Sequence, residues 1–346
     1  MVSKPVIRVI GSLNIDFVTR TPRVPGPGET LTATSMTVHA GGKGANQAVA
    51  CGKAAFTSQA EQDVIVDMIG AVGAGDPYYA SLLKPTLEKS GVSTTYVEEI
   101  KGIQTGTATI IVDSGSDGQN RILFVPGANA RVTDVTKVIA SATRDSVPDV
   151  VVMQGEIPRP TVLGLLGAFN STEYKTCVIF NPAPVFPEGI PIEALKGLAA
   201  LVVNETECLL LFRAIEEFKC IEVPSSEADM TESHLARLTK HLHDRAGISV
   251  VAVTLGSRGV YYSADIRPGT PSQDFIPAVK IQNVVDTTAA GDTFVGYFST
   301  ALARHLAAKQ ALDGFDVRTA VSKANQAAAK CIQRSGAMES IPFGYE

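Results

Sequence analysis

Tryptophan is absent from the 346-residue chain, and cysteine is scarce. The five cysteines (Cys51, Cys177, Cys208, Cys220, Cys331) are scattered, odd in number and free of CxxC or His-paired spacing, so neither a zinc motif nor a disulfide framework is supported. Cys51 and Cys331 sit in apolar helical contexts and read as core. No apolar run approaches the roughly 18 uninterrupted residues of a membrane helix. Val6–Ile10 leads straight into Gly11 and is too short for a signal peptide. Neither sign of charge dominates. Thirty Lys and Arg against 35 Asp and Glu give −5, which leaves no electrostatic footprint for nucleic acid or an anionic membrane, although a locally basic pocket stays open. A soluble chain in a reducing, cytosolic setting is the default expectation, with the nucleus also open to a eukaryotic protein.

What is present is ordinary globular composition: 45% hydrophobic, 19% charged, 30 Gly and 19 Pro, enough for one large α/β domain or two smaller ones. Short β-branched runs recur with helical patterns between them: Val6–Ile10, Val66–Val72, Val150–Met153, Cys177–Phe180, Leu201–Val203, Ser249–Thr254 and Gly259–Tyr262. Near-continuous apolar runs in that rhythm predict a doubly wound, mostly parallel sheet covered on both faces. Val18–Ala40 and Gln104–Val125 break the rhythm as polar/apolar alternations without a helix between their strands, and predict a small antiparallel flap over the pocket. Lys53–Asp63, Phe218–Ser233 and Ala264–Pro277 read as polar, irregular surface insertions. Gly70–Gly75 has the wrong spacing for a dinucleotide loop and reads as a strand-to-helix turn opening at Asp76.

Three constellations carry chemistry. Gly11–Asp16 follows the first strand, where alternation sends Asn14 and Asp16 to one side; an amide and a carboxylate there either hydrogen-bond vicinal hydroxyls of a polyol or form an Asx-type turn. Ala40–Ala50 is a glycine cluster running into an Ala-rich helix, with Lys43 and Asn46 about one turn apart. No Ser or Thr follows Lys43, so this is no Walker A loop; it either lets backbone approach a ligand or caps a helix. Asp286–Phe294 ends a strand-like run at Val284 and Val285 and opens a helix, where small residues leave backbone N–H groups free for an anion. Asp292 beside that nest is either a base for a hydroxyl proton or a first-turn acidic residue favoured by the helix dipole.

Gly41–Ala50 and Asp286–Phe294 resemble the two signatures of the ribokinase-like (PfkB) carbohydrate kinases, and the order and separation of all three constellations agree. The similarity runs from Val6 to Pro342, interrupted by the polar insertions; GGKGANQAVA, NETE, TLGSRG and DTTAAGDTF are specific in combination. The resemblance implies an α/β fold, a mostly parallel central sheet sandwiched by helices, over 1–17, 41–103 and 126–346. It also implies a small antiparallel β lid over 18–40 and 104–125 that makes a homodimer contact. Sugar would be held by Asn14, Asp16, Gly42, Lys43, Asn46 and Glu156, with Asp292 as catalytic base and the amides of Ala289, Ala290 and Gly291 as anion hole. Asn204 and Glu207 of Asn204-Glu205-Thr206-Glu207 would order phosphate-bound Mg²⁺ through water; as plain residues they cap a helix. Thr254, Gly256, Ser257 and Gly259 would surround the ATP ribose and phosphates, or simply turn a hairpin, with Gly291 at the phosphates and Asn325 beside the adenine. K⁺ would sit among Asp286, the carbonyls of Thr288, Cys331, Arg334 and Gly336, and the Ser340 hydroxyl, a set of oxygens that suits a hard cation.

The implied reaction is transfer of the ATP γ-phosphoryl group to the 5-hydroxyl of D-ribose, giving D-ribose 5-phosphate and ADP for pentose phosphate metabolism. Fructokinase or adenosine kinase activity, or a silent sugar-binding relative, stay open as alternatives, although Asn14, Asp16, Lys43 and Asn46 favour a small polyhydroxylated ligand over an aromatic base. The chain departs from the family pattern at Val295 and Tyr297, where smaller or polar residues are common, at Asn325 in place of a frequent histidine, and in the lengthened Lys53–Asp63 link.

Overall fold

The computed structural model describes residues 3–115, 119–267, 271–309 and 311–346; residues 116–118 of the expected flap and 268–270 of one expected insertion lie outside them. Along the first half run β1 (Val6–Ile10), β2 (Asn14–Thr21), β3 (Ser35–Gly41), α1 (Lys43–Ala54), β4 (Phe56–Ser58), β5 (Glu61–Gln62), β6 (Ile65–Gly73) and α2 (Lys84–Lys89). Then come β7 (Val92–Ile100), β8 (Gly106–Asp113), β9 (Gln119–Val125), α3 (Val135–Thr143), β10 (Val150–Met153), α4 (Arg159–Phe169) and β11 (Cys177–Phe180). The chain continues through β12 (Ala200–Asn204), α5 (Glu205–Ala214), α6 (Glu232–Ala246), β13 (Val250–Thr254), β14 (Gly259–Ala264), β15 (Ser272–Pro277), α7 (Ala290–Lys309) and α8 (Val317–Cys331).

Nine strands form the main sheet in the order β15-β14-β13-β12-β11-β10-β1-β6-β7. Strands β7 to β13 of that order pair in parallel, and β14 and β15 close one edge antiparallel. The apolar runs are continuous because both faces are covered. On β10, Val150 and Val152 join one core with Ala45 and Val49 of α1, Phe294 and Phe298 of α7 and Val321 of α8. Val151 and Met153 join the opposite core with Leu165 and Phe169 of α4, Phe212 of α5 and Leu238 of α6. Each fully buried aliphatic or phenyl side chain contributes roughly 1.5–3 kcal/mol of transfer free energy, so the two cores fix which end of each strand carries the site. Among the described residues no helix is long and apolar enough to cross a membrane.

The chain passes from β1 to β6 and β7 on one side, then crosses to β10, β11, β12 and β13 on the other. The order reverses between β1 and β10, and in open α/β sheets the crevice beyond the carboxyl ends of such a strand pair is where ligands bind.

The second sheet, β3-β2-β8-β9, is built from two antiparallel hairpins, as the alternation of the two segments predicts. The hairpins join differently from a purely antiparallel flap: β2 and β8 pair in parallel over Asn14–Thr21 and Gly106–Asp113. β2 follows β1 and β8 follows β7, two strands of the main sheet that run in the same direction, so the two leave from carboxyl ends and pair side by side in parallel.

The expected insertions are more ordered than their polarity suggests. Within 53–63, β4 and β5 form a hairpin, and buried Lys53 donates to the carbonyls of Met338 (2.8 Å) and Ile341 (2.9 Å). Within 218–233, Phe218 and Met230 are core residues, and a capping box at Thr231 starts α6. Within 264–277, β15 supplies the edge strand of the main sheet. Val284 and Val285 form no strand: both are exposed, and the N–H groups of Val285 and Asp286 donate to the carbonyl of Ile332. At 70–75, β6 ends in a turn with Gly75 at φ 74°, and Asp76 accepts from the N–H groups of Tyr78 and Tyr79, as read from sequence.

Candidate active site

The start of α1 lies against the turn from β1 into β2. Gly42 has φ 91°, and a Cβ on Gly44 would stand 2.5 Å from the Ser12 nitrogen, so the helix end approaches only because these positions lack side chains. Its first N–H groups find partners from other segments: Lys43 N–H donates to Glu156 Oε2 (2.9 Å), Gly44 N–H to Ser12 Oγ (3.2 Å) and Ala45 N–H to the Ser12 carbonyl (2.9 Å). Ser12 donates in turn to Glu156 (2.5 Å). Glu156 therefore stabilises the positive end of α1 from the end of β10, across the topological switch. Asn14 begins β2 and accepts at its side-chain oxygen from Asn129 (2.8 Å), whose own oxygen accepts from Leu13 N–H (3.0 Å).

Asp292, in the first turn of α7, is 7% exposed. Its carboxylate is held at both oxygens: Asn46 donates to Oδ2 (3.0 Å) and Gln47 to Oδ1 (2.9 Å), both from α1. Burial, reinforced by the carboxylates of Glu156, Asp292 and Glu339, pushes the Asp16 carboxyl up to about 7. Burial works to lower Lys43, but Asp292, Glu156 and Glu207 outweigh it and raise its pKa. One ammonium thus faces acidic groups from three elements. The six expected sugar residues and Asp292 converge in one polar crevice at the β1/β10 switch.

Ala289, just before α7, has φ 61°, in the left-handed region. A left-handed residue leading into a helix is the backbone pattern of an anion-binding concavity, although within this turn the Ala290 N–H donates to the Thr287 carbonyl (3.4 Å). On the far side of this turn a cavity of about 370 Å³ is lined by Thr254, Gly256, Ser257, Gly259, Gly291 and Asn325, and by apolar Val260, Val279 and Phe294. Thr254 to Gly259 turn the β13–β14 hairpin, and Asn325 on α8 donates to the carbonyl of Pro277 (3.0 Å). The apolar walls suit a planar base, and the glycines leave backbone within reach of phosphates.

Asn204 and Glu207 stand beside this cavity, Asn204 in register with Thr254 on the neighbouring strand. They form a reciprocal capping box at α5: Glu207 N–H donates to Asn204 Oδ1 (2.7 Å) and Asn204 N–H to Glu207 Oε2 (3.0 Å). Burial raises the Glu207 carboxyl, and the N–H of Asn204 and the charge of Lys43 oppose the shift. A carboxylate and an amide oxygen are the ligand types a water-coordinated Mg²⁺ accepts.

The two halves of the expected cation loop also meet. Asp286 accepts from Thr288 N–H (2.9 Å), Thr288 Oγ1 (2.6 Å) and Gly336 N–H (3.2 Å). Burial disfavours its charge, but these hydrogen bonds prevail and hold its carboxyl below the usual value. The Cys331 thiol lies 3.6 Å from the Thr288 carbonyl and 3.0 Å from Ser340 Oγ, and the Cys331 carbonyl accepts from Arg334 N–H (3.0 Å). One charged carboxylate among carbonyls and a hydroxyl fits a hard monovalent ion. Lys53 holds the carbonyls on either side of Ser340, which ties the first helix to this loop.

Sequence reasoning passed over four amides. Gln47, Gln154, Asn129 and Asn181 are buried around the site, and Gln47, Asn129 and Gln154 have no exposed surface. Gln47 lies inside the Ala40–Ala50 string read from sequence and Gln154 two positions before Glu156, but only their partners distinguish them from filler.

A model of the pfkB family of carbohydrate kinases matches residues 5–343. Ribokinase from Schizosaccharomyces pombe is 34% identical over 338 residues, 97% of this chain and 94% of the relative. The crystal structure of ribokinase from Thermotoga maritima superposes with a TM-score of 0.76 at 32% identity, covering 98% of this chain and 97% of that one. The structure of Arabidopsis thaliana ribokinase complexed with ribose and ATP gives a TM-score of 0.75 at 28% identity, covering 99% of this chain and 96% of that one. With Asp292 held from α1 beside a largely apolar cavity that reaches Gly291, and with similarity along almost its whole length, this chain belongs to the pfkB family of carbohydrate kinases.

Proposed function

We propose that the chain is an ATP-dependent ribokinase that transfers the γ-phosphoryl group of ATP to the 5-hydroxyl of D-ribose, giving D-ribose 5-phosphate and ADP. The observation that carries this reading is Asp292: a buried carboxylate, fixed at both oxygens, between a polar crevice and the cavity that reaches Gly291. Asn14, Asp16, Lys43, Asn46 and Glu156 hold and orient the sugar hydroxyls, with the backbone of Gly42 close by. Asp292 takes the 5-hydroxyl proton as that oxygen attacks, and the amides of Ala289, Ala290 and Gly291 receive the charge developing on the phosphoryl oxygens. Thr254, Gly256, Ser257, Gly259 and Asn325 line the nucleotide side. Bound Mg²⁺ supplies charge neutralisation at the terminal phosphates, and Asn204 and Glu207 are the residues that would order it through water. Asp286, Thr288, Cys331, Arg334, Gly336 and Ser340 would hold K⁺, whose charge braces the amide turn beside it.

The lid carries two further parts of this reading. Closing β2, β3, β8 and β9 over the crevice keeps water from the phosphoryl group. The exposed apolar side chains Ile122, Leu123, Phe124 and Val125 on β9, with Met36 at 64% exposed on β3 at the other edge of the lid sheet, are of the kind a second copy of the chain covers, which supports a homodimer through the lid. The five unpaired cysteines fit a reducing, cytosolic setting.

Two measurements test the assignment. In a panel of D-ribose, 2-deoxy-D-ribose, D-fructose and adenosine read by ADP release, D-ribose should give the highest kcat/KM; preference for another acceptor would replace the substrate. Asp292→Asn should keep sugar binding and lower kcat by roughly 10²–10⁴, the range for a lost general base. Near-normal turnover would remove Asp292 from that role.

A further inference from the structure

Four buried side-chain amides join the two sides of the site; their nitrogens all find acceptors, while the oxygens of Asn46 and Gln154 have no partner among the described residues. The Gln47 amide nitrogen donates to Asp292 Oδ1 (2.9 Å) and to Asn181 Oδ1 (3.0 Å), while its oxygen accepts from Gln154 (2.7 Å). The Asn181 nitrogen donates to the Val202 carbonyl (2.9 Å) and to Glu207 Oε2 (3.4 Å). Asn46 holds the other oxygen of Asp292. Gln47 and Gln154 have no exposed surface, so neither can touch substrate, and an amide flip at Gln47 would set oxygen against oxygen at both Asp292 and Asn181.

We infer that Gln47 is a positioning residue which, through Asn181, ties the base Asp292 on α7 to Glu207 at the start of α5, so that the sugar side and the nucleotide side of the reaction keep one geometry. The inference rests on Asp292 being the base. Its physical ground is that a carboxylate held by donors at both oxygens presents a fixed lone pair, and rate falls steeply when a reacting group is misplaced. Buried polar networks of this kind act as a unit, so removing one member loosens the rest.

Gln47→Met keeps length and apolar volume but removes both donors. In a protein that melts cooperatively, kcat should fall about 10–10²-fold, while the sugar dissociation constant measured by calorimetry changes less than about twofold. Gln47→Glu, isosteric and still able to accept from Gln154, should show the same split and serves if the methionine variant does not fold. Placed in an Asp292→Asn background, either change should cost under about twofold, because its effect passes through Asp292. Combined with Asn181→Ser, either should lose no more than the worse single variant. A scaffold role predicts the opposite: the same loss in both backgrounds, and losses that multiply. Near-normal kcat in a folded Gln47 variant, or an undiminished effect without Asp292, overturns the inference. An active Asp292→Asn protein instead overturns the assignment of the base, so the two failures are distinguishable.

Discussion

In Asp16 the proposed sugar-binding role and stability oppose each other in one side chain. Its carboxyl has an ordinary value of 3.8 and stands at about 7 in the folded chain. Between those values the native state keeps a proton that the unfolded chain has released, so its contribution to stability declines as pH rises from about 4 to 7. Asp16→Asn removes that burden. In sugar-free protein the variant should be more stable than the parent at pH 8 by about 1–4 kcal/mol, with the gain vanishing near pH 4, and its sugar affinity should drop. Denaturant titrations at the two pH values check this; a gain of equal size at both would refute the sign. Gly44 is the converse case, a position defined by what is missing. Gly44→Ala sets a Cβ 2.5 Å from the Ser12 nitrogen and 2.7 Å from the Gly11 carbonyl carbon, both backbone. The helix start must then move away from Ser12 and Glu156, at a cost of about 1–3 kcal/mol and a raised KM for sugar, read by thermal melting and steady-state kinetics. Residue identity alone singled out Asn14, Asp16, Lys43, Asn46 and Asp292, because glycine clusters and a lone acid at a helix start are local features. Gln47, Asn181 and Gln154 were illegible: an amide inside an Ala-rich helix acquires meaning only from partners 107 or more positions distant.

Among the elements, the strands of the main sheet were the most legible, since continuous β-branched runs are what burial on both faces demands. Three of them, β1, β10 and β11, have the bounds read from sequence. The edge strands were not. β15 is polar and partly exposed, so its composition matches a loop, and only pairing with β14 makes it a strand. The same holds for the β4–β5 hairpin within 53–63. Val284 and Val285 fail in the other direction: two β-branched residues suggest a strand, but the N–H groups of Val285 and Asp286 donate to the Ile332 carbonyl at the end of α8 instead. The lid is where apolar alternation and exposure disagree, for Leu123 is 65% exposed on a strand rich in apolar side chains. If a partner lid covers it, Leu123→Glu combined with Phe124→Glu should convert a dimer to monomers in sedimentation velocity and lower the sugar affinity, while leaving the main sheet's circular dichroism intact. A variant that sediments like the parent removes the lid from the interface.

The whole molecule brings the three constellations together at one end of the sheet. β1 ends at Ile10, β10 ends at Met153, and the chain reverses its direction of sheet growth between them, so residues near positions 14, 46, 156 and 292 come together at that end. The segment proposed to hold K⁺ is joined to this assembly through Lys53, which fastens the C-terminal segment to α1. Replacing K⁺ by a large organic cation should therefore slow turnover about tenfold, near 1.4 kcal/mol of transition-state stabilisation, with sugar binding unaffected. Equal rates in both salts would detach Asp286 from catalysis. Local chemistry is written in short strings: strand runs, glycine-led helix starts and the acid after the small-residue turn follow from nearest neighbours and side-chain period, which is why fold class and catalytic motifs could be read directly. The parallel joining of the lid hairpins, the ordering of the insertions and the amide network depend on contacts between residues far apart in the chain, and hydrogen-bond partners at such separation exist only after the sheet has closed its two cores.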